Sequence, residues 1–160
     1  GHSVLVLEEG FEVGSPEHCG GLVSKNALKE LGIEPSQKTF DSEIECAKIF
    51  SPEGKEISIN SKKQQIVVIN RRELDKQAAR QARDNGAKIS VKTSFLEKNG
   101  NGVKTSNGDI ECKFFIDCRG VSRLVNKDRD GILLTAQYEV YADWIKKGQV
   151  EVYFDQEKYP

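Results

Sequence analysis

Residues 3–10 read SVLVLEEG: four consecutive aliphatic residues, Val4 to Leu7, that stop on two carboxylates and a glycine. A run without polar alternation is the pattern of a strand buried on both faces of a parallel sheet. In dinucleotide-binding βαβ units the second such strand ends on an acid, whose two oxygens suit the adjacent hydroxyls of a ribose. Glu8 stands at that place, although a solvated strand end carries the same residue. The glycine fingerprint G-x-G-x-x-G of such a unit lies about twenty residues before its acid. Only seven residues precede Glu8, and the fingerprint occurs nowhere in the 160 residues. The chain therefore opens like a second strand without its first.

Beyond Gly10, helix and hairpin signals alternate. Ser24 is placed to cap a short helix over 25–31 that ends on Gly32. Strands are expected over 45–50, 57–60 and 65–69, with SPEG at 51–54 as a tight turn. Asn70 as N-cap and Glu73 three residues later form a capping box. Leu74, Ala78 and Ala82 then recur at helical spacing until Asn85-Gly86. Strands are expected next over 87–91, on either side of NGNG at 99–102, and over 110–117 after NGD at 107–109, then over 135–142 and 149–154. The mixture predicts an α/β (α+β mixed) fold: an incomplete Rossmann-like sheet with an antiparallel region, a plain α+β domain being the competing architecture.

Three further stretches carry chemistry. In PEHCGGLVS, 16–24, Gly20 and Gly21 let backbone approach a flat ligand and Cys19 offers a thiol; an ordinary glycine turn fits as well. In NRRELD, 70–75, Arg71 and Arg72 oppose the helix dipole, a broken local rule that marks an anion site or two solvated side chains. FFIDCRGVSR, 114–123, reads as strand, glycine turn and a cap at Ser122, common both at ligand edges and in plain connections.

Composition closes off other classes. Twenty-four basic and 25 acidic residues leave a net charge of −1, without the basic stripe of a nucleic-acid binder. Mean hydropathy is −0.55, and no apolar run nears the roughly 20 residues of a membrane span. With no secretory leader in view, a cytoplasmic location is expected. Cys112 and Cys118, if on one strand, lie too far apart to bond, at about 3.3 Å per residue. His2 and His18 lack ligand spacing, so no metal is expected.

Taken in order, GHSVLVLEEG, CGGLVSKNALKELGI, KIFSPEGKEI, VVINRRELDKQAARQARDNGA and FIDCRGVSRLV resemble the geranylgeranyl reductase family. Its members are FAD-dependent oxidoreductases on the p-hydroxybenzoate hydroxylase fold that saturate isoprenoid chains. The resemblance runs over nearly the whole chain, and CGGL followed by NRRELD is its most telling pair. It implies that Glu8 binds the adenosine ribose of FAD, that Cys19, Gly20 and Gly21 lie beside the isoalloxazine with Cys19 the candidate for chemistry, and that Arg71 reaches the phosphates. Arg72 has a lesser claim. The sequence departs from the wider fold at 118–120, where C-R-G stands in place of A-D-G. A partial FAD-binding domain over 1–131 and the start of a substrate-binding sheet over 132–160 are implied, with Tyr138, Tyr141, Trp144 and Tyr153 able to line an apolar tunnel.

By the same resemblance this is an interior piece of a longer enzyme, inactive by itself and weak or wanting in FAD binding. Its parent would take an isoprenoid lipid, by peripheral contact with a membrane, and electrons from NADPH, ferredoxin or another carrier. The piece would self-associate through an exposed sheet edge. A monooxygenase or halogenase of the same fold, or a non-enzymatic domain that keeps it, are the alternatives.

Overall fold

The computed structural model describes residues 1–60, 65–120 and 135–155. It is a mixed α/β chain with four small sheets and two helices among the described residues. The opening strand β1 (Leu5–Leu7) is followed by β2 (Leu22–Ser24), α1 (Lys25–Glu30), β3 (Phe40–Ile44), β4 (Cys46–Phe50), β5 (Glu56–Asn60) and β6 (Ile66–Ile69). Then come α2 (Arg71–Asp84), β7 (Lys88–Ser90), β8 (Phe95–Asn99), β9 (Gly102–Thr105), β10 (Gly108–Glu111) and β11 (Gln149–Tyr153).

The core lies where β6 meets the two helices. Val67 and Ile69 point inward from β6, 1% and 3% exposed, onto Leu28 of α1. Val23, Ile33 and Leu74 close around them. Alternation along IVVI sends two of its four side chains to this core, as a strand between β2 and β3 requires. The caps form where the sequence places them. Asn70 accepts the Glu73 N–H at 2.9 Å, Ser24 accepts the Asn26 N–H at 3.2 Å, and Gly86 leaves α2 at φ +93°. A second clamp holds 34–39 against α2: Gln77 accepts from the buried Thr39 hydroxyl at 3.0 Å and donates to the Glu34 carbonyl at 2.7 Å.

Four expectations need correction. Val4 to Leu7 is not buried on both faces: β1 pairs in parallel with β7 alone, and Val4, Leu5 and Val6 are exposed. A two-stranded ladder has no layer to cover it. The strand expected over 110–117 ends at Glu111; beyond it Phe115 turns in to stack on Phe95 while Phe114 and Ile116 stay exposed. Cys112 and Cys118 therefore do not share a strand, and all four cysteines are free thiols. Residues 135–142 form no strand: no described strand lies beside them, and β propensity needs a partner. Conversely, β2 and β3 escape a reading of the sequence: each flanks β6, and their short, mixed patterns (LVS, FDSEI) carry no clear period. The cap expected at Ser122 and residues 132–134 and 156–160 lie outside the described residues.

Candidate functional site

The site is assembled around the first turn of α2. NRRELD forms that turn, the glycine pair docks on the residue that feeds it, and the loop that follows Glu8 packs on it. Glu8 ends β1, half-buried, and its Oε1 accepts the Gly10 N–H at 2.7 Å, which fixes the carboxylate at the mouth of the 9–14 loop. That loop docks on the helix. Gly14, at φ +79°, comes so near Arg72 that a Cβ would stand 2.9 Å from its carbonyl oxygen. Glu12 pairs with Arg72 and, at 2.9 Å, with Lys76.

The two adjacent glycines divide their roles. Gly21 is buried at φ +76°, and a Cβ there would stand 2.1 Å from the Ile69 carbonyl oxygen. Its own carbonyl accepts the Ile69 N–H at 2.9 Å, so it is locked against the strand that feeds α2. Gly20 has open space where its Cβ would be, and Cys19 is exposed. Gly21 is thus held against β6, whereas Gly20 faces open space.

Among the described residues, Arg71 pairs with Asp75, one turn on, at 3.5 Å. The buried Nε of Arg71 and of Arg72 both lack an acceptor among the described residues. Two buried guanidinium donors without partners at a helix N-terminus, where free N–H groups also gather, make an anion-seeking arrangement.

The fourth stretch behaves differently. Arg119 donates to both oxygens of Asp117 at 2.9 Å and lies over the Phe95 ring, 4.4 Å from its centroid. Hydrogen bonding to Asp117 raises the pKa of Arg119 above its ordinary value, with a smaller push from Glu9. The departure at 118–120 is therefore filled by an internally neutralised arginine, set near the acidic end of β1.

Sequence reasoning misses one surface. In the sheet β11-β4-β5, the register places Ala47, Ile49, Ile57, Ile59, Val150 and Val152 on one face. Lys48, Glu56, Ser58 and Glu151 occupy the other, with Phe50 stacked on Tyr153 at 4.5 Å. Ile57 and Ile59 are 64% and 54% exposed, so this aliphatic face is open. The signal is the alternation in CAKIF, EISIN and QVEVY, which marks a two-faced sheet. Of the aromatic residues expected to line a tunnel, Tyr153 lies on the polar face, and Tyr138, Tyr141 and Trp144 are exposed on a segment without strand structure.

No family model matches the chain. It is 29% identical over its whole length to a digeranylgeranylglycerophospholipid reductase of Methanocaldococcus jannaschii, covering 45% of that protein. A geranylgeranyl bacteriochlorophyll reductase-like protein of Thermoplasma acidophilum matches at 30% identity and TM-score 0.59, over 68% of this chain and 30% of that one. CtdE, solved with FAD and a substrate, shares the fold at 20% identity and TM-score 0.50, over 69% of this chain and 30% of that one. The chain spans less than half the length of the curated relatives it matches. By sequence and by fold, it belongs to the geranylgeranyl reductase family.

Proposed function

We propose that the chain is part of a flavin-dependent reductase acting on carbon–carbon double bonds of isoprenoid lipids. Residues 1–131 belong to its FAD-binding domain and 132–160 begin the substrate-binding sheet, which β11 joins to the hairpin β4–β5 through its ladder to β4. Glu8 accepts hydrogen bonds from the adenosine ribose, Arg71 binds the diphosphate, and Cys19, Gly20 and Gly21 border the isoalloxazine. Reduced FAD held by these residues would supply the hydride for alkene reduction, its electrons coming from NADPH, ferredoxin or another carrier.

The observation that carries this reading is that the loop following Glu8 docks on Arg72 and Gly21 is locked on Ile69, both at the start of α2, where the Nε–H groups of Arg71 and Arg72 have no partner among the described residues. Arg71 and Arg72 suit the cofactor because phosphate oxygens are acceptors for their unpartnered Nε–H groups. Support for a lipid substrate comes from the open aliphatic face of β11-β4-β5, which offers hydrocarbon surface and no hydrogen bond. The lipid is met by peripheral contact with a bilayer in the cytoplasm; no described helix is long and apolar enough to cross a membrane.

The test is an NMR titration of the 160-residue chain with FAD, which detects binding too weak to survive desalting. Amides of Glu8–Gly14, Cys19–Gly21 and Arg71–Glu73 are expected to move. Glu8→Gln and Arg71→Gln are each expected to weaken the interaction by about tenfold, the worth of one charge-assisted hydrogen bond. Shifts centred elsewhere, or variants that respond like the parent, would refute the assignment. A stoichiometric yellow flavin carried through purification would refute its weakness.

A further inference from the structure

A cleft of about 700 Å³ lies on the side of α2 that faces β7, beside the loop that begins at Glu8. Its wall is basic for a simple reason of periodicity. Lys76, Arg80 and Arg83 fall at i, i+4 and i+7 and so share one helix face, and Lys88 of β7 adds a fourth cation. The acid on the rim, Glu12, is already engaged by Arg72 and Lys76. Arg83 has only a long contact with Asp84, at 3.8 Å. Arg80 and Lys88 are exposed and have no ion-pair partner among the described residues. The floor is apolar, from Val13, Ala79 and Ile89, and Phe11 stands at the edge, 66% exposed.

Lys76 is paired with Glu12, but Arg80 and Lys88 leave uncompensated positive charge beside the apolar floor, and an anion in the cleft is attracted to it. An exposed aromatic ring beside them offers a stacking surface to a flat heterocycle. The volume falls within the range of about 300–1,000 Å³ that small-molecule sites occupy. The larger cleft near α1 lacks this character, because its Lys25 and Glu43 are spent on each other at 2.5 Å.

We propose that this cleft binds a phosphate-bearing nucleotide, with its base against Phe11 and its phosphate between Arg80 and Lys88. The site shares the 11–13 loop with the region assigned to FAD and differs from it at Arg80, Arg83, Lys88 and Ile89, whose shifts are the discriminating ones; it stands whether or not FAD binds.

The experiment is titration of the 160-residue chain with adenosine 2′,5′-bisphosphate, followed by amide shifts and by calorimetry, with adenosine and polyglutamate as comparison ligands. Shifts at Phe11–Val13, Lys76–Arg83 and Lys88–Ile89 are expected, with affinity at least tenfold above that of adenosine. Arg80→Gln/Lys88→Gln is expected to lower that affinity about tenfold or more, since it removes two charge-assisted contacts. Both positions are exposed and unpaired, so the fold persists, which circular dichroism checks. Phe11→Ala is expected to weaken the bisphosphate and adenosine alike. An affinity equal to that of adenosine, an unaffected double variant, or shifts confined to Glu8 and Arg71–Glu73 would overturn the proposal. Preference for polyglutamate over the nucleotide would overturn it in favour of an acidic protein surface.

Discussion

At the scale of single residues, two neighbouring glycines that look alike in the sequence do opposite things. Gly21 combines φ +76° with a backbone oxygen 2.1 Å from the position of any Cβ. A left-handed conformation alone costs an alanine roughly 1–2 kcal/mol, and here β6 would also have to give way. Gly21→Ala is therefore expected to destabilise the chain by at least about 2 kcal/mol in urea unfolding. Gly20→Ala, with open space before it, is expected to stay within about 0.5 kcal/mol of the parent. Equal effects of the two would contradict this division. A sequence announces that two glycines stand together; the contact that assigns their roles is made with Ile69, far along the chain, and leaves no local mark. The same holds for Glu12, whose partners Arg72 and Lys76 lie on another element.

At the scale of elements, legibility depends on the reach of the forces involved. Caps and turns are local chemistry, so Asn70–Glu73, Ser24, SPEG and the two Asn-Gly turns are readable from their own residues. Strands depend on a partner. The run at 114–117 and the β-prone segment 135–142 have none beside them among the described residues, whereas FDSEI becomes β3 because β6 lies alongside. The hairpin β4–β5 illustrates a partner written into the register. Lys48 lies opposite Ser58, diagonal to Glu56 on the same face, and its Nζ sits 2.8 Å from the Glu56 carboxylate. That bond lowers the Glu56 pKa below its ordinary value, with help from the Ser58 hydroxyl, and raises that of Lys48. The signs define a window. A depressed carboxylate contributes stability above its unfolded pKa and loses it as pH falls through the folded value. A raised amine contributes below its unfolded pKa and loses it as pH rises through the folded one. The pair thus supports the hairpin across neutral pH and fails at both extremes. Lys48→Met is expected to move the Glu56 titration midpoint upward in a carboxylate-detected NMR series, though not fully to the ordinary value, because Ser58 remains. An unmoved midpoint would show that Lys48 is not the cause.

At the scale of the whole molecule, β1 has one satisfied edge and one open edge. Val4 accepts the Lys88 N–H and Glu8 donates to the Ser90 carbonyl, both at 2.9 Å. In a parallel ladder alternate residues face the partner strand, so the N–H and C=O groups of Leu5 and Leu7 point away from β7. No described strand lies on that side. The edge is aliphatic, with Val4, Leu5 and Val6 all exposed, and carries none of the lysines, prolines or bulges by which sheets discourage pairing. A second copy of the chain is the nearest source of a matching strand, and self-association rising with concentration is expected in light scattering. The geometry supplies its own control. Proline at an edge is tolerated where the missing N–H faced outward, and Leu5 is such a position. Leu5→Pro deletes an outward donor and spares both bonds to β7, so the variant is expected to keep its circular dichroism spectrum and lose most of its association. A parent that stays monomeric at every concentration would remove the edge from consideration. A variant that associates as strongly as the parent would instead place the contact elsewhere, with the open aliphatic face of β11-β4-β5 as the next surface to block.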